Sequence, residues 1–284
     1  MDTDLPSISP AEFAALRGRP DAPLLLDVRL PEHYAKSEHL IAGATHCAPQ
    51  DLPALVRSGP PRDVVVYCVY GHHVCHDAAR TLGQAGWNAR YLQGGIAGGE
   101  RGVDPAEDVA RWRADRPLRI RKRPDLSVTG DQASRWITRA RPKIDRIACP
   151  WLILRFIDPR AQFFYVPADE VFTQARQLAA VPYDIEGAPI THAWEKCSFD
   201  ALLEAFELRD PALETLATIV RGADTARLGL APQSAGLLAV SLGLSRLHAD
   251  DHAMLQAALP VYDALYTWCR DGQGEKHTWQ AHAA

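Results

Sequence analysis

Cys68 closes the apolar run Val64–Val65–Val66–Tyr67, and Val69, Tyr70, Gly71, His72 and His73 separate it from a helical pattern. A sulfur where a buried strand meets a helix faces unpaired backbone N–H groups and the positive end of the helix dipole. A loop wrapped around that sulfur turns further N–H groups toward it. Gly71 supplies a position where the backbone can take positive φ without a side-chain clash. These surroundings favour thiolate over thiol, and the thiolate is the nucleophile. A small buried thiol ending a core strand is the alternative; the strand–Cys–loop–helix arrangement favours the reactive reading. Cys75, at the helix start, reads first as a helix-face residue and second as a resolving thiol.

A second group of polar residues lies in the other half of the chain. Arg141, Lys143, Asp145, Arg146, Cys149, Asp224, Asp251 and His252 are its candidates for chemistry. Asp145 and Cys149 are four apart, so one helical face can hold both. In THAWEKC, His192, Glu195 and Cys197 stand together just before a helix and are offered as ligands of a metal ion, although their spacing fits no strong zinc motif. Taken singly, each has a plainer reading. Cys149 belongs to the core, Asp250 and Asp251 serve a helix start, and His252 is solvated.

The elements that position these residues follow from periodicity. Up to about Glu100, strands and helices alternate: helix at 11–18, strand at 23–28, helix at 31–37, short strand at 44–49, helix at 51–57, strand at 64–68, helix at 75–86 and strand at 89–92. Buried strands alternating with helices imply an α/β fold, a mostly parallel sheet covered on both faces. Ligands of such sheets bind outside the carboxyl ends of the strands, where Cys68 lies. Residues 103–114 read as a closing helix. The stretch RWRADRPLRIRKR, 111–123, is strongly basic and reads as a solvated linker, with an anion or nucleic-acid patch as the sharper alternative. The division is therefore 1–115, a basic linker at 116–134, and a second domain at 135–284.

That second domain opens with a short strand at Trp136 and Ile137. Helical spacing then joins Ile144, Ile147, Ala148, Trp151, Leu152 and Phe156, with Pro150 marking a break or a first turn. A strand at 162–166 and a helix follow, and after Cys197 the pattern is helical, with Ser198 and Asp250 as N-caps. The whole is a mainly helical α+β unit.

The composition excludes several classes. Hydrophobic residues make up 47% and charged residues 23%, as in soluble globular proteins. No apolar run approaches the ~20 residues of a membrane span. The start MDTDLPSISP is acidic and lacks the apolar core of a secretory signal, and six scattered cysteines suit a reducing compartment. A cytoplasmic location follows, with no membrane partner. A net charge of −4 and no evident helix-turn-helix argue against nucleic acid.

LLLDVRLPEHYAKSEHLIAGATHCAP and VVVYCVYGHHVCHDAARTLGQAGWNARYLQGGIAGG resemble the two signature halves of rhodanese-like domains, over about residues 8–100. The resemblance implies a sulfurtransferase that needs no cofactor. Cys68 would accept a sulfane sulfur from a donor, become a persulfide, and pass the sulfur to a thiol or other nucleophile. It also implies that Asp27 and Arg29 hold and polarise the site, a role compatible with strand-end capping and a surface ion pair. Many members carry a cation in the loop; here His72 and His73 stand there, with charge that depends on pH. The aromatic usual after the Gly94–Gly95–Ile96 segment is replaced by Gly98–Gly99, so closure relies on the next segment. The related phosphatases and arsenate reductases need an arginine six positions after the cysteine; Val74 there excludes phosphoryl chemistry.

TRARPKIDRIACPWLILRFIDPRAQFFYVPADEV, THAWEKCSFDALL, RGADTARLGLAPQSAGLLAVSLGLSRLHADDHAML and YDALYTWC resemble the C-terminal domain of chromate-resistance proteins of the ChrB type, over about residues 135–270. This implies an association with chromate resistance, and a second domain that handles an oxyanion such as chromate, a metal or a thiol. The alternative is a chromate- or metal-responsive regulatory protein.

Overall fold

The computed structural model describes residues 5–275. Residues 1–4, on which the reading of the N-terminus partly rests, and residues 276–284 of the second domain lie outside the described residues.

The first half is built on Ser7–Ile8 (β1), Leu24–Asp27 (β2), Thr45–His46 (β4), Asp63–Tyr67 (β5) and Asn88–Leu92 (β6). They form a five-stranded parallel sheet in the order β1-β6-β5-β2-β4. Successive side chains of β5 point to opposite faces. Val64 and Val66 enter a core with Ala78, Ala79 and Leu82 of the helix His73–Gln84 (α4), while Val65 and Tyr67 enter one with Ile8, Leu25 and Leu92. Both faces are covered, so β5 is apolar along most of its length rather than alternating. Pro10–Ala15 (α1) lies on one side, and Leu52–Ser58 (α3) with α4 on the other. A further helix, Pro31–Lys36 (α2), starts on a proline as expected.

The basic stretch departs from the solvated-linker reading. Arg119–Arg121 (β7) pairs antiparallel with His39–Ile41 (β3), and Ile120 between the two arginines is fully buried. Leu40, Ile120, Leu126 and Val128 join the core of the second half. Three of the cations are used internally, while Arg111, Arg113, Arg116 and Arg121 face solvent. Arg119 lies over the Trp112 ring at 5.5 Å, Arg123 donates to the Ala205 carbonyl at 3.0 Å, and Lys122 sits 3.5 Å from the Tyr34 ring centroid. Trp112 is on Ala106–Ala114 (α5), donates to the Gly95 carbonyl at 3.1 Å and packs against Gly94 and Gly98. It closes the first half where Gly98–Gly99 leave room for an indole.

The second half holds a smaller parallel sheet, Val181–Pro182 (β10), Arg135–Arg139 (β8) and Gln162–Val166 (β9), in the order β10-β8-β9. Helices dominate the rest: Asp145–Leu152 (α6), Val171–Leu178 (α7), Ser198–Ala205 (α8), Pro211–Asp224 (α9), Gln233–Leu247 (α10) and Asp251–Thr267 (α11). Pro150 neither breaks α6 nor begins it. A proline has no N–H for the carbonyl four residues earlier, here Arg146; the Tyr183 hydroxyl donates to that carbonyl instead, at 3.3 Å. The chain then passes into a π-helical turn at Ile153–Ile157. Asp250 caps α11 by accepting from the Ala253 N–H at 2.7 Å, as expected. Ser198 is the first helical residue rather than the N-cap of α8; Cys197 holds that place, and its N–H bonds Asp200 at 3.0 Å. Among the described residues, no helix is long and apolar enough to cross a membrane.

Candidate functional site

Cys68 directly follows β5, and α4 begins five residues later, so the intervening loop must fold back over the sulfur. Gly71 takes φ 85° in that loop. The Cys75 thiol is the strongest influence holding Cys68 as thiolate. Burial opposes it, and the N–H groups of Gly71, Cys75 and His72 add to it. The balance lowers the Cys68 pKa from the ordinary 9.0 to about 6. Burial and the neighbouring Cys68 push Cys75 well above the usual range, as expected of the donor in a thiol–thiolate pair. All six cysteines are free thiols. The sulfur sits deep, with Cys68 only 5% exposed.

The Gly94–Gly95–Ile96 segment clamps the loop from behind. Ile96 and Ala97 donate backbone N–H groups to the carbonyls of Cys68 and Val69 at 3.0 and 2.8 Å. Gly95 has φ 54°, and a Cβ there would stand 2.6 Å from both carbonyl oxygens. Outside the loop, His72 turns to carboxylates: its Nε2 lies 2.9 Å from Asp104 Oδ2 and its Nδ1 3.6 Å from Glu100. Val69 is half-buried, while Tyr70 and His73 are exposed. A cavity of about 350 Å³ opens beside the loop, lined by Tyr70, Gly71, His72, Gly99 and Trp112 among others.

Asp27 and Arg29 form a buried pair, not a surface one, at 0% and 2% exposure. Arg29 Nε donates to Asp27 Oδ1 at 2.8 Å, and its Nη2 to Oδ2 at 2.5 Å. The Tyr67 hydroxyl also donates to Asp27, at 2.9 Å, and accepts from the Ile41 N–H at 3.2 Å. Through Tyr67 the pair fixes the residue that immediately precedes Cys68. A buried carboxylate is tolerable on these terms because a guanidinium and a phenol both satisfy it.

The second half brings four residues together from separate segments. His192 Nε2 lies 3.1 Å from Asp224 Oδ2, 3.2 Å from Asp184 Oδ1 and 3.4 Å from Asp145 Oδ2. Asp145 also accepts from the N–H groups of Ser198 and Phe199 at the start of α8, at 2.5 and 3.2 Å. Asp184 accepts from Ser198 Oγ at 2.8 Å and pairs with Arg146 and Arg139, each at 3.3 Å. The three carboxylates raise His192 to about 12 against the effect of burial. Burial outweighs His192 at Asp145 and raises it to about 6.

Two comparisons with protein families now bear on this geometry. Residues 9–101 match the rhodanese-like domain, and residues 136–269 match the ChrB C-terminal domain. The chain joins a rhodanese-like domain to a ChrB C-terminal domain. Protein ChrB of Cupriavidus metallidurans is 35% identical over 147 residues, which is 51% of this chain and 43% of that relative. The chain thus spans less than half the length of that curated relative. Among solved structures, reduced CoADR-RHD of Bacillus anthracis is 20% identical with a TM-score of 0.28, covering 33% of this chain and 16% of that one. A protein of unknown function from Rhodopseudomonas palustris is 19% identical with a TM-score of 0.27, covering 33% of this chain and 78% of that one.

Within the ChrB C-terminal domain the residues offered as metal ligands do not assemble. A small bridge between Ala193 and Lys196 turns Glu195 outward, where it is exposed and meets Arg227 at 3.3 Å. Cys197 turns inward, its sulfur 3.4 Å from Asp200, and burial raises its pKa. His192 keeps its place, with aspartates as company. Cys149 lies one turn from Asp145, its sulfur 3.9 Å from Oδ1, as the spacing predicts, and is fully buried. Asp251 accepts from the Arg141 N–H at 3.0 Å, and the exposed His252 meets the Tyr165 ring edge-on at 5.3 Å. Lys143 is exposed and lines a shallow hollow with Arg141 and Arg246. Asp184 was absent from the sequence candidates; a single aspartate just after a two-residue strand gives no local signal.

Proposed function

We propose that the protein is a sulfurtransferase in which Cys68 carries the sulfur. The observation that carries the reading is a cysteine at the end of the central parallel strand, under a loop with Gly71 at positive φ that leads into α4; the Cys75 thiol and the loop N–H groups lower its pKa. The Cys68 thiolate attacks the sulfane sulfur of a donor. A new S–S bond forms, the donor's own bond to that sulfur breaks, and the donor leaves with the electron pair. The loop N–H groups then face an anionic persulfide in place of the thiolate. An acceptor thiolate or other nucleophile takes the outer sulfur, and Cys68 recovers its negative charge. The cycle balances without an external oxidant or cofactor.

The match to the ChrB C-terminal domain supports a place in chromate resistance, with chromate or another oxyanion, or a metal, as the ligand of that half. Of the basic stretch, Arg119, Lys122 and Arg123 are engaged inside the molecule, which leaves Arg111, Arg113, Arg116 and Arg121 as the exposed cations on which a DNA-binding regulator would have to rely. The test is turnover of a sulfane-sulfur donor with cyanide or a thiol as acceptor. The full chain turns over and Cys68→Ser does not; equal turnover by both would remove Cys68 as the carrier.

A further inference from the structure

His192 poses a problem that hydrogen bonding does not solve. Its Nε2 carries one proton, yet carboxylate oxygens of Asp145, Asp184 and Asp224 surround it at 3.4, 3.2 and 3.1 Å. One N–H serves one acceptor well and cannot serve three. Asp145 and Asp184 are 0% and 6% exposed, and their oxygens and His192 all lie within 4.8 Å of one another. The single Nε2 proton and the arginines on Asp184 offset part of the carboxylate charge, and one divalent ion in place of that proton would meet the surrounding oxygens at once.

The spacing fits ligands around a common ion. With metal–ligand bonds of about 2.1 Å, neighbouring ligand atoms are separated by about 3.0 Å in an octahedron and about 3.4 Å in a tetrahedron. The nitrogen–oxygen separations fall in that interval. The ligands are also held from behind, as metal ligands are. Asp145 is fixed by the N–H groups of Ser198 and Phe199, and Asp184 by Ser198 Oγ, Arg139 and Arg146. His192 is 42% exposed at its side chain, so the cluster opens to solvent on that side.

We propose that Asp145, Asp184 and His192 bind one divalent transition-metal ion in the ChrB C-terminal domain, with Asp224, 3.1 Å from His192 Nε2, beside the ligand set. Carboxylate oxygens with one imidazole suit ions of hard to intermediate character, such as Mn²⁺ or Zn²⁺. Cys149 and Cys197 stay outside the ligand set, because their sulfurs turn to Asp145 Oδ1 and to Asp200. The solvent-facing side leaves a coordination position for water or an oxygen-donor ligand. This inference is independent of sulfur transfer at Cys68.

The experiment titrates the full chain with Co²⁺, followed by its visible absorption, and then displaces it with Mn²⁺ or Zn²⁺. The expected result is one equivalent bound, no sulfur-to-cobalt charge-transfer band, and affinity at least about tenfold weaker in His192→Gln. Asp145→Asn would also disturb the start of α8, so Asp184→Asn is the second variant and weakens binding as well. Glu195→Gln binds like the parent. Absence of binding in the parent, unchanged affinity in both His192→Gln and Asp184→Asn, or a thiolate charge-transfer band would each overturn the proposal.

Discussion

Replacing Cys75 by alanine separates the two devices that hold Cys68 ionised. The Cys75 thiol is the strongest of them, and the loop N–H groups remain when it is removed. A hydrogen bond to a charged group contributes about 1.5–3 kcal/mol, and about 1.4 kcal/mol corresponds to one pKa unit. Cys68 in Cys75→Ala should therefore titrate about one to two units above the present value of about 6. At pH 6 the thiolate fraction drops from about half to between roughly a tenth and a hundredth. The more basic thiolate is intrinsically a better nucleophile, by about three- to eightfold for a Brønsted slope of 0.4–0.5. Alkylation by iodoacetamide should then be about two- to sixfold slower than the parent near pH 6, and faster than the parent near pH 9. Crossing pH–rate curves are the signature. Cys75→Ser restores a donor and should bring the midpoint back toward the parent. A Cys75→Ala protein that is folded and keeps the parent's midpoint would show that the thiol has no part in ionising Cys68.

Two further outcomes follow from the same geometry. Because the folded-state pKa of Cys68 lies below the unfolded one, the unfolded chain binds more protons between them, and stability rises with pH. The contribution, at most about 4 kcal/mol for a fall from 9.0 to about 6, is complete above about pH 9 and lost as pH falls through about 6. Urea unfolding of the parent and of Cys68→Ser should diverge across that window, and parallel curves would contradict it. Gly95→Ala places a Cβ 2.6 Å from the carbonyls of Cys68 and Val69 at a positive φ, so it should lower the melting temperature and disable sulfur transfer together. A fully active, equally stable Gly95→Ala protein would show that the clamp is dispensable.

The Cys68 loop is legible because its signals are local. An apolar strand, a cysteine, a glycine and a helical period stand consecutively, and each constrains the next. Asp145 and Cys149 are legible for the same reason, since a separation of four on a helix fixes a shared face. What could not be read depends on distant partners. β7 is Arg–Ile–Arg, one apolar residue between two cations, and only pairing with β3 makes it a strand. Pro150 carries a local signal to break the helix, which the Tyr183 hydroxyl removes from another segment. The His192 cluster draws on α6, the segment after β10, the loop before α8 and the end of α9, and no window of sequence contains two of its carboxylates. Proximity in sequence suggested Glu195 and Cys197 instead, but a tight turn points adjacent residues in opposite directions.

The most direct test of Cys68 as the sulfur carrier is the mass of its peptide after the full chain has been incubated with a sulfane-sulfur donor at neutral pH and trapped with an alkylating agent. The expected result is a gain of one sulfur atom on Cys68, absent in Cys68→Ser. A Cys68 that is alkylated as a plain thiol, with no added sulfur at any donor concentration, would contradict it.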